Sequence, residues 1–176
     1  ILFLCKLTIE NMCGIAGFYT KSRGFVSEPE LRNMCKAMAH RGPDAEGVYY
    51  SANVGLGHRR LSIIDLSDDA NQPMDSHSMR YICVYNGEVY NFKQIAKDLN
   101  VDFRTTSDTE VVLEAFAEWG VTFVNKLNGM FALAIYDKEE DKLYIFRDRI
   151  GIKPLYYYWD GSTFAFASEL KSLLQI

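Results

Sequence analysis

From Met130 onward the chain reads as strands separated by gaps too short for anything but tight turns. That spacing restricts the fold more than any other feature. The segments are Met130 to Tyr136, Lys142 to Arg147, Leu155 to Trp159 and Phe164 to Ser168, with hairpin turns near Glu140 and at Asp160-Gly161. Strands joined this tightly pair antiparallel, because a parallel pair needs a long crossover. The N-terminal half repeats the signature more loosely. Cys13 to Tyr19 alternates small and apolar residues and reads as a buried strand, Val48 to Ala52 and Gly55 to Ile64 are joined by a turn around Asn53, and Arg80 to Tyr85 runs into Asn86-Gly87, a strong turn signal.

Helices are fewer. Ser27-Glu28-Pro29-Glu30 is a capping box with proline in the first turn, opening an amphipathic helix through about Ala39. Asn91 caps a helix to about Leu99, and Ser107-Asp108-Thr109-Glu110 is a second capping box whose apolar-striped helix stops at Gly120. A short helix over Glu169 to Leu174 ends the chain, and Asp65 to Ser78 is polar and loop-like. The expected class is α+β, mostly antiparallel sheets with helices covering them. A length of 176 residues suits one domain.

Composition narrows the partners. Lys and Arg total 19 against 23 Asp and Glu, a net charge of −4 without a clustered basic run, which argues against nucleic acid. Cys5, Cys13, Cys35 and Cys83 form no Cys-x-x-Cys pair, and His40, His58 and His77 lack metal-ligand spacing. Neither a disulfide framework nor a structural metal is expected, and a cytoplasmic location fits best. No hydrophobic stretch reaches membrane length, so no membrane partner is expected.

Residues 1–12 form an odd leader that does not begin with methionine and is interrupted at Lys6. It lacks the anatomy of a secretory signal. Upstream DNA translated from a wrong start, an expression remnant and a removed pro-segment are the three readings, and the domain is taken as 13–176.

Cys13, in Met12-Cys13-Gly14-Ile15-Ala16-Gly17, is the main candidate for chemistry. A cysteine directly after methionine can become the first residue of the mature chain, placing a thiol beside a free α-amine that can take its proton. The reference pKa of that amine, about 8, suits it to act as a base near neutrality. With residues 1–12 attached, only an amide nitrogen is present. The bland alternative is a buried small hydrophobe.

Four other features have two readings each. Asn86-Gly87-Glu88 is either a plain hairpin turn or an oxyanion hole built from the Asn86 amide and the Gly87 N–H. Arg60 is either a paired charge on a strand or a fork for a substrate carboxylate. Glu88 and Asp108 suit a substrate ammonium, while Asp108 also complements a helix N-terminus. His40-Arg41-Gly42-Pro43-Asp44 is a turn or a flap over a small substrate. Arg147-Asp148-Arg149, before Gly151-Ile152-Lys153-Pro154, reads as an internal salt-bridged network rather than as catalytic.

In this order the pieces resemble the glutaminase domain of class II glutamine amidotransferases, the N-terminal-nucleophile hydrolases, over residues 13–176. The proline in His40-Arg41-Gly42-Pro43-Asp44 is similar to the asparagine synthetase branch. So are Arg60-Leu61-Ser62-Ile63-Ile64, Asn86-Gly87-Glu88-Val89-Tyr90-Asn91, Thr106-Ser107-Asp108-Thr109-Glu110, Gly129-Met130-Phe131-Ala132, Arg147-Asp148-Arg149-Ile150-Gly151-Ile152-Lys153-Pro154-Leu155-Tyr156 and Ala167-Ser168-Glu169-Leu170-Lys171. The resemblance implies a four-layer α-β-β-α sandwich. It implies Cys13 as nucleophile, Asn86 and Gly87 as oxyanion hole, and Arg60 on the α-carboxylate of L-glutamine. Glu88 and Asp108 would hold the α-ammonium, with the backbone of Leu61 and Ile63 lining the pocket.

Two departures accompany the resemblance: twelve residues precede Cys13, and the chain stops where the family continues into an ATP-using synthetase domain. No cofactor is expected for the glutaminase half. ATP and Mg2+ would serve the absent C-terminal synthetase domain, which would receive the ammonia and amidate aspartate to asparagine. A homodimer is compatible with the family. The rival readings are an amidotransferase serving another acceptor and a non-catalytic glutamine-binding module blocked by an uncleaved leader.

Overall fold

The computed structural model describes residues 12–21, 26–61 and 68–176. Among these residues are nine strands and four α-helices. A five-stranded sheet has the order β2 (Ala45–Tyr50), β3 (Val54–Arg60), β1 (Gly14–Thr20), β9 (Thr163–Ala167) and β8 (Tyr156–Trp159). A four-stranded sheet has the order β4 (Met74–Asp75), β5 (Tyr81–Val89), β6 (Gly129–Asp137) and β7 (Lys142–Arg147). Every pairing is antiparallel, as the short connections require.

The period-two alternation of side chains divides each sheet between two cores. Ile15 of β1, Leu56 of β3, Val84 of β5 and Phe166 of β9 meet between the sheets. On the outer face of the five-stranded sheet, Ala16 and Phe18 of β1 pack under helix α1 (Glu28–Ala37) and helix α4 (Leu170–Leu173). On the outer face of the four-stranded sheet, Tyr85 and Leu133 pack under α2 (Phe92–Asp98) and α3 (Asp108–Trp119), with Ile95, Leu113 and Phe116 as their counterparts. The result is the expected α-β-β-α sandwich.

Local signals explain the helix starts. The Ser27 N–H donates to Glu30 Oε2 at 2.7 Å, the reciprocal half of a capping box. Ser107 Oγ accepts from the Glu110 N–H at 3.4 Å, starting α3 at Asp108. Gly120 ends it with φ +56°, a backbone conformation open to glycine.

Four details differ from the expectation. Asn86-Gly87 is not a turn: β5 runs through it to Val89, with Asn86 opposite Ala132 and Gly87 opposite Phe131. The pairing with β6 outweighs the local preference of an Asn-Gly pair. Strand β2 begins at Ala45, and β3 ends at Arg60. The stretch read as loop from Asp65 carries, in its described part, a 3-10 turn at Asp68–Ala70 and the short strand β4. No helix among the described residues is long and apolar enough to cross a membrane.

Candidate active site

Three strands deliver their inner faces to one end of the seam between the sheets. Cys13 stands two residues before Ile15, on the same side of β1. His58 and Arg60 continue the inward row of Leu56 on β3, and Asn86 continues that of Ile82 and Val84 on β5. Cys13, His58, Arg60, Asn86, Gly87 and Asp108 line a cavity of about 270 Å³. That volume lies near the lower end for small-molecule sites and suits an amino-acid-sized ligand. Leu61 and Glu88 also border it. Ile63 lies outside the described residues.

The thiol is held by backbone. The Leu61 N–H donates to Cys13 Sγ at 3.4 Å, and Sγ lies 3.6 Å from the Leu61 carbonyl oxygen. Burial pushes the thiol pKa up, while the Leu61 hydrogen bond and the charges of Arg60 and Lys153 act against that rise. Arg41 Nε donates to the Cys13 carbonyl at 3.1 Å, fixing the backbone behind it.

Asn86 is 1% exposed, yet its Nδ2 has no hydrogen-bond partner. A buried amide left unmatched costs about 1–3 kcal/mol, so its N–H groups stand ready for an acceptor in the cavity. At Gly87 a side chain is sterically excluded: a Cβ there would lie 2.5 Å from the Met130 carbonyl oxygen and 2.7 Å from Phe131 Cβ.

Arg60 is 7% exposed and donates to Asn71 Oδ1 at 2.6 Å, which aims the guanidinium along the cavity wall. Asp108, 4% exposed, accepts from the Tyr85 hydroxyl at 2.7 Å and from the Val89 N–H at 2.9 Å, both on Oδ2. Burial still holds its pKa above the ordinary carboxylate value, against the pull of those donors. A cation on the free side of Asp108 would complete its solvation. Glu88 is exposed at the rim.

The sequence reading missed several neighbours. Gln72 accepts the Tyr85 N–H on Oε1 at 2.6 Å and extends its amide to Thr109 Oγ1 at 3.4 Å. His58 is buried, and desolvation lowers its pKa to about 3, so it is a neutral imidazole. Its period-two spacing from Arg60 was a usable signal. Lys153 also lines the cavity, 140 residues from Cys13; its motif stood out in the sequence, but its place at the cavity did not.

The two motifs with divided readings resolve differently. In the His40–Asp44 segment, Arg41 Nη1 meets Glu169 Oε1 at 3.3 Å, His40 Nε2 meets the same oxygen at 2.8 Å, and Gly42 packs on the β3 backbone. The segment is a support behind Cys13, not a flap over the cavity. The Arg147–Arg149 segment is an internal network, but of hydrogen bonds to backbone rather than the salt bridges expected: Asp148 accepts the N–H groups of Phe131, Ile152 and Lys153 at 3.2, 2.9 and 3.0 Å, and Arg147 donates to the carbonyls of Lys153 and Gly151 at 2.7 and 2.8 Å.

A thiol, a buried amide with spare donors, a guanidinium and a carboxylate thus surround one small space. This set can bind a zwitterion and stabilise negative charge developing next to sulfur.

Comparison with known proteins places the chain in a family. A solved structure of the glutamine phosphoribosylpyrophosphate amidotransferase from B. subtilis superposes with a TM-score of 0.77 at 19% identity, over 92% of this chain and 43% of that one, a likeness of fold. The chain is 41% identical over 166 residues to asparagine synthetase (glutamine-hydrolyzing) 2 of Bacillus subtilis, covering 92% of this chain and 22% of that protein. It is 39% identical over 170 residues to asparagine synthetase B (glutamine-hydrolyzing) of Escherichia coli, covering 94% and 30%. It is also 39% identical over 178 residues to amidase chry2 of Gibberella zeae, covering 93% and 26%. The chain therefore spans less than a third of the length of these relatives. The glutamine amidotransferase domain family matches residues 12–176, and this chain belongs to that family.

Proposed function

We propose that residues 13–176 hydrolyse L-glutamine to glutamate and ammonia, and that the whole protein uses the ammonia to make asparagine from aspartate. The observation that carries the first part is the convergence of Cys13 Sγ and the partnerless Asn86 Nδ2 on one cavity. Removal of residues 1–12 makes Cys13 the first residue, with a primary amine beside its sulfur. The amine, directly or through a water, takes the thiol proton, and sulfur attacks the side-chain amide carbon of glutamine. Asn86 Nδ2 and the Gly87 N–H donate to the oxyanion. The protonated amine returns its proton to the leaving nitrogen, ammonia departs, and water hydrolyses the γ-glutamyl thioester.

Arg60 pairs with the substrate α-carboxylate. Asp108 and Glu88 hold the α-ammonium, and the backbone of Leu61 and Ile63 closes the pocket wall. No cofactor takes part in this half-reaction. ATP and Mg2+ belong to a C-terminal synthetase domain of the whole protein, which acts in the cytoplasm and is compatible with a homodimer.

The similarity to an amidase at 39% identity, equal to that of a synthetase, supports a second reading in which the ammonia goes to another acceptor. The experiment that tests the glutaminase reading combines intact mass with ammonia release. A protein starting at Cys13 is expected to release ammonia from glutamine, and Cys13→Ala to release none. Ammonia release at full rate by protein that retains residues 1–12 would overturn it. Product analysis with aspartate and ATP separates the two acceptors.

A further inference from the structure

The proposed chemistry leaves one buried polar group of the cavity without a task. His58 lies on β3 opposite Ile15 of β1 and Gly47 of β2, is 1% exposed, and lines the cavity. Among the described residues its Nε2 has no hydrogen-bond partner. Desolvation brings the imidazole pKa down to about 3, against a hydrogen bond with the Tyr85 backbone that pulls it up. Only an acceptor, the Tyr85 carbonyl, pulls in that direction. The single proton of the neutral ring is therefore on Nδ1, and Nε2 carries a bare lone pair.

We propose that His58 is the residue that tells a carboxamide from a carboxylate: its Nε2 accepts an N–H of the glutamine side-chain amide and opposes the side-chain carboxylate of glutamate. The inference rests on the glutaminase reading given above.

The partnerless atoms of the cavity are complementary to an amide. Asn86 Nδ2 is a donor without an acceptor, and His58 Nε2 is an acceptor without a donor. A primary carboxamide supplies what each lacks, since its oxygen accepts and its nitrogen donates. A carboxylate supplies acceptors alone.

The reaction itself creates the need for such a residue. Product glutamate differs from glutamine only in an oxygen for an NH2 group. The donors assigned to the oxyanion, Asn86 Nδ2 and the Gly87 N–H, suit a carboxylate at least as well as an amide carbonyl, because hydrogen bonds to charged acceptors are the stronger ones. A site made of donors alone would hold its own product. A fixed lone pair supplies the missing repulsion: against an amide N–H it makes a hydrogen bond, and against a carboxylate oxygen it meets a second lone pair with no proton between them. Arg60, Glu88 and Asp108 do not make this distinction. In the glutaminase reading they face the α-carboxylate and α-ammonium, which glutamine and glutamate share.

The test is calorimetric binding of L-glutamine and of L-glutamate at neutral pH to the whole protein carrying Cys13→Ala, with its start at residue 13 confirmed by mass. Glutamine is expected to bind at least about a hundredfold more tightly than glutamate, as in sites built to hydrogen-bond a group that the competitor lacks. His58→Leu should bring that ratio below about tenfold, through weaker binding of glutamine and tighter binding of glutamate. His58→Phe, which keeps a planar ring, serves if the leucine variant is poorly folded by circular dichroism. Loss of a merely structural support would weaken both ligands alike, so an unchanged ratio in a folded variant overturns the inference. A ratio near one with His58 in place overturns it without any variant. Both results leave the glutaminase reading intact, whereas absence of ammonia release from the unsubstituted Cys13-start protein overturns the reading itself.

Discussion

The Tyr85 hydroxyl donates to Asp108 Oδ2 at 2.7 Å, bolting an inner strand of the four-stranded sheet to the first residue of α3. The Val89 N–H shares the same oxygen at 2.9 Å, so Oδ1 alone remains for a ligand. This bond sets where the carboxylate points.

Tyr85→Phe removes that donor without changing the ring. Glutamine KM should rise about tenfold, with kcat less affected, because a hydrogen bond to a charged group contributes about 1.5–3 kcal/mol. Steady-state ammonia release checks it. A fall confined to kcat would place Asp108 elsewhere in the cycle.

Asn86→Ala removes the amide whose Nδ2 is buried without a partner. Loss of one oxyanion donor lowers kcat by about 100- to 1000-fold. The thermal midpoint should hold or rise, since an unmatched buried donor is also removed. Equal losses of activity and of folded protein would count against a transition-state role.

Gly42→Ala tests the support behind the site. A Cβ at Gly42 would lie 2.4 Å from the carbonyl carbon and oxygen of Arg59 and 2.6 Å from the Arg60 nitrogen. These are backbone atoms and cannot swing away, so β3 must shift at its Arg60 end. The variant should bind glutamine at least severalfold more weakly, measured by calorimetry on the Cys13→Ala background. Wild-type affinity would separate the His40–Asp44 motif from the site.

Glu110 predicts the acid limb of stability. Burial raises its pKa, but donation from the Arg104 N–H, His77 and Thr105 outweighs burial and brings it down to about 2. The unfolded value is near 4.3, so the carboxylate stabilises the fold fully above that pH. This contribution, about 3 kcal/mol, is lost as pH falls from about 4.3 toward 2. Glu110→Gln should therefore be less stable than wild type at pH 7 and lose less on acidification, as urea unfolding at pH 7 and pH 3 will show.

Strand positions were legible where local pattern and tertiary pairing agree. Strand β7 was expected at Lys142–Arg147 and is found there, because its short turn to β6 leaves one pairing available. At Asn86-Gly87 the two disagree: the dipeptide favours a turn, but β6 pairs with it on through to Val89. Of the candidate site, Cys13, Arg60, Leu61, Asn86, Gly87, Glu88 and Asp108 share one cavity. Gln72 went unnoticed, and Lys153 was noticed only as part of its motif, without its place at the cavity. Each reaches the cavity through contacts made between distant segments, and one sequence carries no sign of such contacts.

Cys13 sits at the head of one sheet of the sandwich, just before β1, and Asn86 lies in the other, with the apolar seam of Ile15, Val84 and Phe166 between the sheets. A reacting pair split in this way behaves like the two jaws of a caliper: sliding either slab changes the gap. Substitutions deep in the seam, which touch no ligand, should therefore be felt as lost turnover before the protein begins to melt.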